Sequence, residues 1–200
     1  MIVLQNDIKS LCYRNVPYTD MMMQAGGGTL SVLDKEDTSQ YFDISCDGGA
    51  FTFQPGELRY RSDTENTIIT LENGAVHERQ EYSDAKGSSM IAEPRWFYDS
   101  TTEMFVIYLM ELQAAESPMG ASGMCVISMH VESQNQTIID MDAGTVWVEY
   151  HPNAADDYSV AWRNYLTGTV GMTETAEGIY SKSGVSKLVI KHYVIKVDDL

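Results

Sequence analysis

Asp140, Asp142 and Gly144 stand as D-x-D-x-G, the opening of a calcium-binding loop. An EF-hand also needs an oxygen ligand at its fifth position and a bidentate Glu at its twelfth. Those positions hold Gly144 and His151, so the EF-hand is excluded. Asp140 and Asp142 remain candidates for an irregular cation site between β loops; the plainer reading is a hairpin turn with Ala143-Gly144 at its tip. His77-Glu78 begins like the zinc motif H-E-x-x-H, but Glu81 occupies the closing position. That zinc site needs two imidazoles one helical turn apart, and the segment reads instead as an exposed hairpin arm. Cys125 and His130, at odd separation on one expected strand, face opposite sides and share no metal.

Nucleophile and phosphate motifs fail in the same way. Gly120-Ala121-Ser122-Gly123 lacks the spacing of a G-x-S-x-G elbow. Gly26-Gly27-Gly28-Thr29 has no Gly-Lys-Ser/Thr after it and precedes a strand, so it reads as a glycine turn. Trp96, Trp147 and Trp162 are the candidates for a sugar-stacking platform, although aromatics in strand and helix patterns usually serve as core. Asn135-Gln136-Thr137 is an N-glycosylation acceptor pattern. No cofactor motif and no catalytic residue is read from the chain.

The elements that must position these residues are mostly strands. Leu4, Ile8 and Leu11 recur as the stripe of an amphipathic helix over residues 2–14, ended by Asn15 and Pro17. Beyond it, short β-like runs follow at close spacing. Thr67–Leu71 and Ala75–His77 flank Asn73-Gly74, a strong hairpin signal because both residues tolerate positive φ. Met104–Leu109 is apolar on both faces, which places it centrally in a sheet. Residues 124–132, 136–141 and 145–150 read as separate strands, with 120–123 as a loop. Tyr158, Ala161, Trp162 and Tyr165 define one inserted helix, opened by Asp156-Asp157 and stopped at Gly168. Lys182, Lys187, Lys191 and Lys196 punctuate a terminal strand, as lysines do on an exposed edge. The expected fold is mainly β (α+β): an antiparallel sandwich or barrel-like domain over residues 17–200, behind a helix over 1–16.

The 200 residues carry 29 acidic and 13 basic side chains, a formal charge of −16. That balance argues against nucleic acid, whose phosphates demand a basic patch. Three cysteines leave at least one unpaired, and any of three pairings is open. No apolar run approaches the roughly 20 residues of a membrane span, and no signal peptide is visible. The opening reads as a helix already under way, so an anchor segment upstream of residue 1 is expected.

Several runs carry a resemblance. Residues 27–32 after a helix, then 56–60, 69–76, 89–98, the apolar 104–109 and the helical 158–165 follow one another in an order similar to archaeal surface proteins of unknown function. Those proteins have a type IV pilin-like N-terminus and a β-rich ectodomain. The resemblance covers residues 2–166 and its motifs are structural. It implies a prepilin-type signal and a hydrophobic anchor helix ahead of residue 2, with the remainder outside the cytoplasm. The expected function is that of a non-enzymatic, membrane-anchored surface ectodomain in adhesion, assembly or envelope structure, with self-assembly or a protein partner. The alternative is a secreted carbohydrate- or ligand-binding β-sandwich. A carboxylate hydrolase, which needs two acids facing each other across a cleft, ranks last.

Overall fold

The computed structural model describes residues 1–14, 16–80 and 87–200. Its first element is the helix expected from the apolar stripe, α1 (Ile2–Arg14). Asn15, read as part of its stop, lies outside the described residues. Twelve strands follow: β1 (Thr19–Leu33), β2 (Tyr41–Cys46), β3 (Gly49–Phe53), β4 (Glu57–Ser62), β5 (Thr67–Glu72), β6 (Ala75–Gln80), β7 (Ser88–Ala92), β8 (Phe97–Asp99), β9 (Met104–Ala114), β10 (Met119–His151), β11 (Thr173–Ala176) and β12 (Ile179–Asp199). A second helix, α2 (Ser159–Asn164), runs into a π turn at Tyr165–Thr169 between β10 and β11.

All strands belong to one mixed sheet ordered β7-β6-β5-β4-β1-β10-β12-β9-β8, with β2–β3 added on β10 and β11 on β12. The fold is therefore mainly β with two helices among the described residues. It is an open mixed sheet rather than a closed barrel.

The sheet encloses two cores. In one, Leu4, Ile8 and Leu11 of α1 pack on Leu30, Leu58, Leu71, Ile127 and Ile195. Each such aliphatic side chain removed from water stabilises the fold by about 1.5–3 kcal/mol. In the other, Tyr158, Trp162 and Tyr165 pack on Phe42, Phe53, Phe105, Val148 and Leu188. Strand β9 divides them. Val106, Tyr108 and Met110 enter the first core, and Phe105, Ile107 and Leu109 the second. Its unbroken apolar run is thus explained by burial on both faces.

Strand β9 lies next to last in the sheet, where β8 covers only Met104–Val106. The rest of its edge is closed by other means. Tyr108 O accepts the Trp96 indole N–H at 2.7 Å, and Met110 N–H donates to Asn73 Oδ1 at 3.0 Å. Leu112 N–H donates to Pro55 O at 2.7 Å, and Ala114 N–H to a carboxylate oxygen of Asp34. Every second residue is capped, which satisfies the unpaired groups of a strand edge.

Six local expectations are corrected. The terminal lysine-bearing strand is not an edge: β12 pairs with β10 on one side and runs parallel to β9, Lys187–Val197 against Met104–Ala114, on the other. Its lysines bind elsewhere, Lys187 Nζ to Asp140 Oδ1 at 3.3 Å and Lys182 Nζ to Gly171 O at 2.9 Å. The runs from 119 to 151 form one strand, because register shifts at 128/129, 131/133 and 140/144 absorb the breaks in pattern as β-bulges. Residues 120–123 belong to that strand and not to a loop, and Ala143-Gly144 forms a bulge rather than a hairpin tip. Gly26–Gly28 is likewise a bulge inside β1; a Cβ on Gly28 would meet Arg61 O at 2.3 Å. The second helix passes Gly168 and ends before Gly171, the residue with φ +71.

Candidate functional site

The C-terminal half of α1 overhangs the face where β9, β12 and β10 lie side by side. Tyr108 is the register partner of Lys191, and Tyr193 and Lys191 pair with Gln134 and Gln136. Side chains two apart on a strand share a face, so these residues form one floor. Tyr13 forms the helix wall and Arg95 reaches in from the β7–β8 connection. Together with Cys12 and Asn135 they line a cleft of about 450 Å³, within the range of small-ligand sites.

Aromatic and cationic groups dominate this cleft. The Tyr108 and Tyr193 rings are parallel within 1° at 6.3 Å, and Tyr13 meets Tyr108 edge-on at 5.0 Å. The Arg95 guanidinium lies 4.8 Å from the Tyr13 centroid and 5.0 Å from that of Tyr108. Lys191 Nζ lies 5.3 Å from the Tyr108 centroid. Such cation–π contacts orient a charge without neutralising it. Among the described residues no carboxylate lies within 4.0 Å of either cation, in a chain with a charge of −16. The Tyr13 hydroxyl is buried without a hydrogen-bond partner. Burial pushes the Cys12 thiol up to about 12, which keeps it protonated near neutral pH.

A second polar cluster lies largely buried between β4–β6 and the start of α2. Arg59 bridges Glu57 and Asp156, and Arg79 Nε stands 3.2 Å from Asp156 Oδ1. Burial raises the Glu57 carboxyl to about 7, against the lowering pull of Arg59. Burial holds Glu72 well above the usual carboxylate range, although Trp162 Nε1–H donates to its Oε1 at 3.1 Å. His77, expected on an exposed arm, is fully buried and stacks on Tyr158 at 4.8 Å. Burial drives its imidazole down to about 3, and neither ring nitrogen has a hydrogen-bond partner. Glu81, which stands where that pattern requires its second His, lies outside the described residues. The cluster joins an ion-pair network of Arg59, Arg79, Glu57 and Asp156 to Glu72 and His77, which burial favours in their neutral forms, in an interior where unpaired polar groups are costly.

The residues singled out from sequence do not converge. Trp96 and Trp162 are 3% and 0% exposed and meet at 5.7 Å within the second core. Only Trp147, 42% exposed, faces solvent. Two of the three indoles are therefore core, and no shared stacking platform forms. Asp140 and Asp142 are exposed on the β10 bulge, with Asp140 paired to Lys187. Cys125 is buried in the first core, while His130 sits on the opposite face between Asp198 and Glu132. Asn135 is exposed in β10, beside the cleft. All three cysteines are free.

Among the described residues, one group of side chains has metal-ligating character: Asp43 on β2 with Glu149 and His151 on β10, whose ligand atoms all lie within 4.8 Å of one another. Sequence reasoning missed it because Asp43 is more than a hundred residues from the other two. It missed the cleft for the same reason. The E-x-H spacing at 149–151, on one face of a strand, was the available signal.

Fold and site together define a class: a β-rich α+β domain with a helix held against an open mixed sheet and an aromatic, cationic cleft beside that helix. Comparison with protein-family models, curated proteins and solved structures finds no match for this chain.

Proposed function

We propose that this chain is a non-enzymatic adhesive domain displayed outside the cytoplasm, and that the cleft beside α1 binds an acidic saccharide. The observation that carries this reading is the pair Arg95 and Lys191, two cations without ion-pair partners among the described residues, set over tyrosine faces. The carboxylates of an acidic saccharide supply the counter-charges these cations lack, with Arg supplying planar bidentate geometry. Tyr108 and Tyr193, each 7% exposed, form the floor beneath the cations, and Gln134 and Gln136 offer amides to the sugar's hydroxyls. Binding suits the chemistry of the cleft better than catalysis, because Cys12 stays protonated and the tyrosine hydroxyl of Tyr13 is held far above neutrality by burial. The surface setting rests on the pilin-like resemblance; a helix docked by Leu4, Ile8 and Leu11 on a β-rich body is compatible with it.

The test is calorimetric titration with digalacturonic acid and, in parallel, its neutral counterpart galactobiose. The acidic dimer is expected to bind and the neutral one to bind at least about tenfold more weakly. Arg95→Ala and Lys191→Ala are each expected to weaken the acidic dimer about ten- to hundredfold, the worth of a charged hydrogen bond. Equal affinity for the two dimers, or no binding of either, overturns the reading.

A further inference from the structure

On the face of β2 and β10 turned away from the second core, Glu149 and Asp43 are directly opposed register partners, and His151 follows Glu149 by two residues on the same face. We propose that Asp43, Glu149 and His151 form a surface site for a divalent transition-metal ion of the zinc type.

The spacing fits such an ion. His151 Nε2 lies 3.3 Å from Glu149 Oε1 and 3.5 Å from Asp43 Oδ2. A tetrahedral ion with bonds of about 2.0–2.1 Å to nitrogen and oxygen separates its ligand atoms by roughly 3.3–3.5 Å. The third separation is within 4.8 Å, and rotation of a half-exposed carboxylate closes it. Imidazole with two carboxylates is a ligand set for zinc-like ions, and two negative charges balance the ion's two positive ones.

His151 stands within 3.5 Å of both carboxylates without a hydrogen bond to either. Its Nε2 is buried from solvent and makes no hydrogen bond, although two carboxylate oxygens stand close by. A nitrogen so placed, with neither oxygen in donor–acceptor alignment, is the arrangement that a cation between them would complete.

The surrounding residues fix the ligands. Thr52 on β3, the register partner of Asp43, donates its hydroxyl to Asp43 Oδ1 at 2.6 Å, which leaves Oδ2 to face His151. Tyr41, the register partner of His151, stacks on the imidazole at 4.0 Å and 10° and fixes the plane of the ring. Outer partners of this kind orient ligands and tune affinity. Three protein ligands leave a fourth position open to water or to a donor from another molecule.

The experiment is calorimetric titration of the full chain, freed of metal by chelation, with Zn²⁺ alone. One equivalent is expected to bind with a rise in the midpoint of thermal unfolding. His151→Ala and Asp43→Asn are each expected to weaken binding at least tenfold while far-UV circular dichroism stays unchanged, since both side chains are partly exposed and lie outside the two cores. Thr52→Val is expected to weaken it about tenfold through loss of ligand orientation. Asp140→Asn, on the β10 bulge, is the control expected to bind like the parent. The proposal is overturned if no Zn²⁺ binds, or if His151→Ala binds as the parent does, which would place the ion elsewhere. The site does not involve the cleft, so its fate is independent of saccharide binding.

Discussion

Asn73 Oδ1 accepts the backbone N–H of Met110 at 3.0 Å from the tip of the β5–β6 hairpin. The same residue turns the chain, with φ +47 followed by φ +74 at Gly74, the paired left-handed conformation of a tight hairpin. One side chain thus forms the turn and caps an otherwise unpaired amide of β9. Asn73→Gly keeps the left-handed conformation but leaves the Met110 amide buried and unpaired. The expected loss is about 1–3 kcal/mol in urea denaturation. Asn73→Asp keeps the acceptor and buries a charge, so its deficit is expected to shrink as the pH is lowered towards 4. A deficit independent of pH would show that the site tolerates a carboxylate.

The Glu57 carboxyl gives stability a dependence on pH of definite sign. It holds its proton up to about pH 7 when folded and releases it near 4.5 when unfolded. Between these values the native state binds more protons, so this group's contribution to stability falls as pH rises through the window. Glu72 acts in the same direction. Over the whole window the Glu57 contribution is on the order of 3 kcal/mol. Glu57→Gln is expected to remove it, so that the stability difference between parent and variant changes from pH 4.5 to 7 and levels off above. Parallel curves for the two proteins across that range would overturn the assignment.

His77 acts with the opposite sign. Its folded value of about 3 lies below the ordinary 6.5, so the unfolded chain binds the extra proton and stability drops as pH falls below 6.5. His77→Phe keeps a flat ring against Tyr158 and removes two buried nitrogens that lack hydrogen-bond partners. The variant is expected to match or exceed the parent in stability at pH 7 and to lose less on acidification to pH 4. Urea midpoints at the two pH values measure both effects. A variant markedly weaker at pH 7 would mean that the ring nitrogens serve the fold.

Patterns confined to a few neighbouring residues were legible in the sequence, and pairings across long stretches were not. The stripe Leu4, Ile8 and Leu11 specifies α1 because helical periodicity is local, and Asn73-Gly74 specifies its hairpin because turn chemistry is local. The aromatic period at Tyr158, Trp162 and Tyr165 finds the second helix, although not its π continuation. The parallel pairing of β9 with β12 joins segments some eighty residues apart, and β12 looked like an edge without it. Strand β10 looked like several strands because bulges interrupt its alternation. The cleft takes Tyr13, Arg95, Tyr108 and Lys191 from four separate segments, and Tyr108 and Lys191 read locally as a central-strand residue and an edge residue. Trp96 and Trp162 drew notice as large aromatics, and their size is what buries them.

Cys12 offers a last and simple check on the chemistry of the cleft. It lies on the cleft wall beside Tyr13, yet it is buried and its thiol is raised to about 12. Burial also raises Cys125, whereas Cys46 is half-exposed. The thiolate is the reacting species in disulfide exchange, so location near a cleft is not sufficient for reactivity. With an aromatic disulfide reagent at pH 8, one thiol of the native protein is expected to react promptly and three after denaturation. Mass mapping should place the prompt label on Cys46. Prompt labelling of Cys12 instead would mean that the helix wall opens readily and exposes a usable nucleophile, and the cleft would then have to be reconsidered as a reactive site.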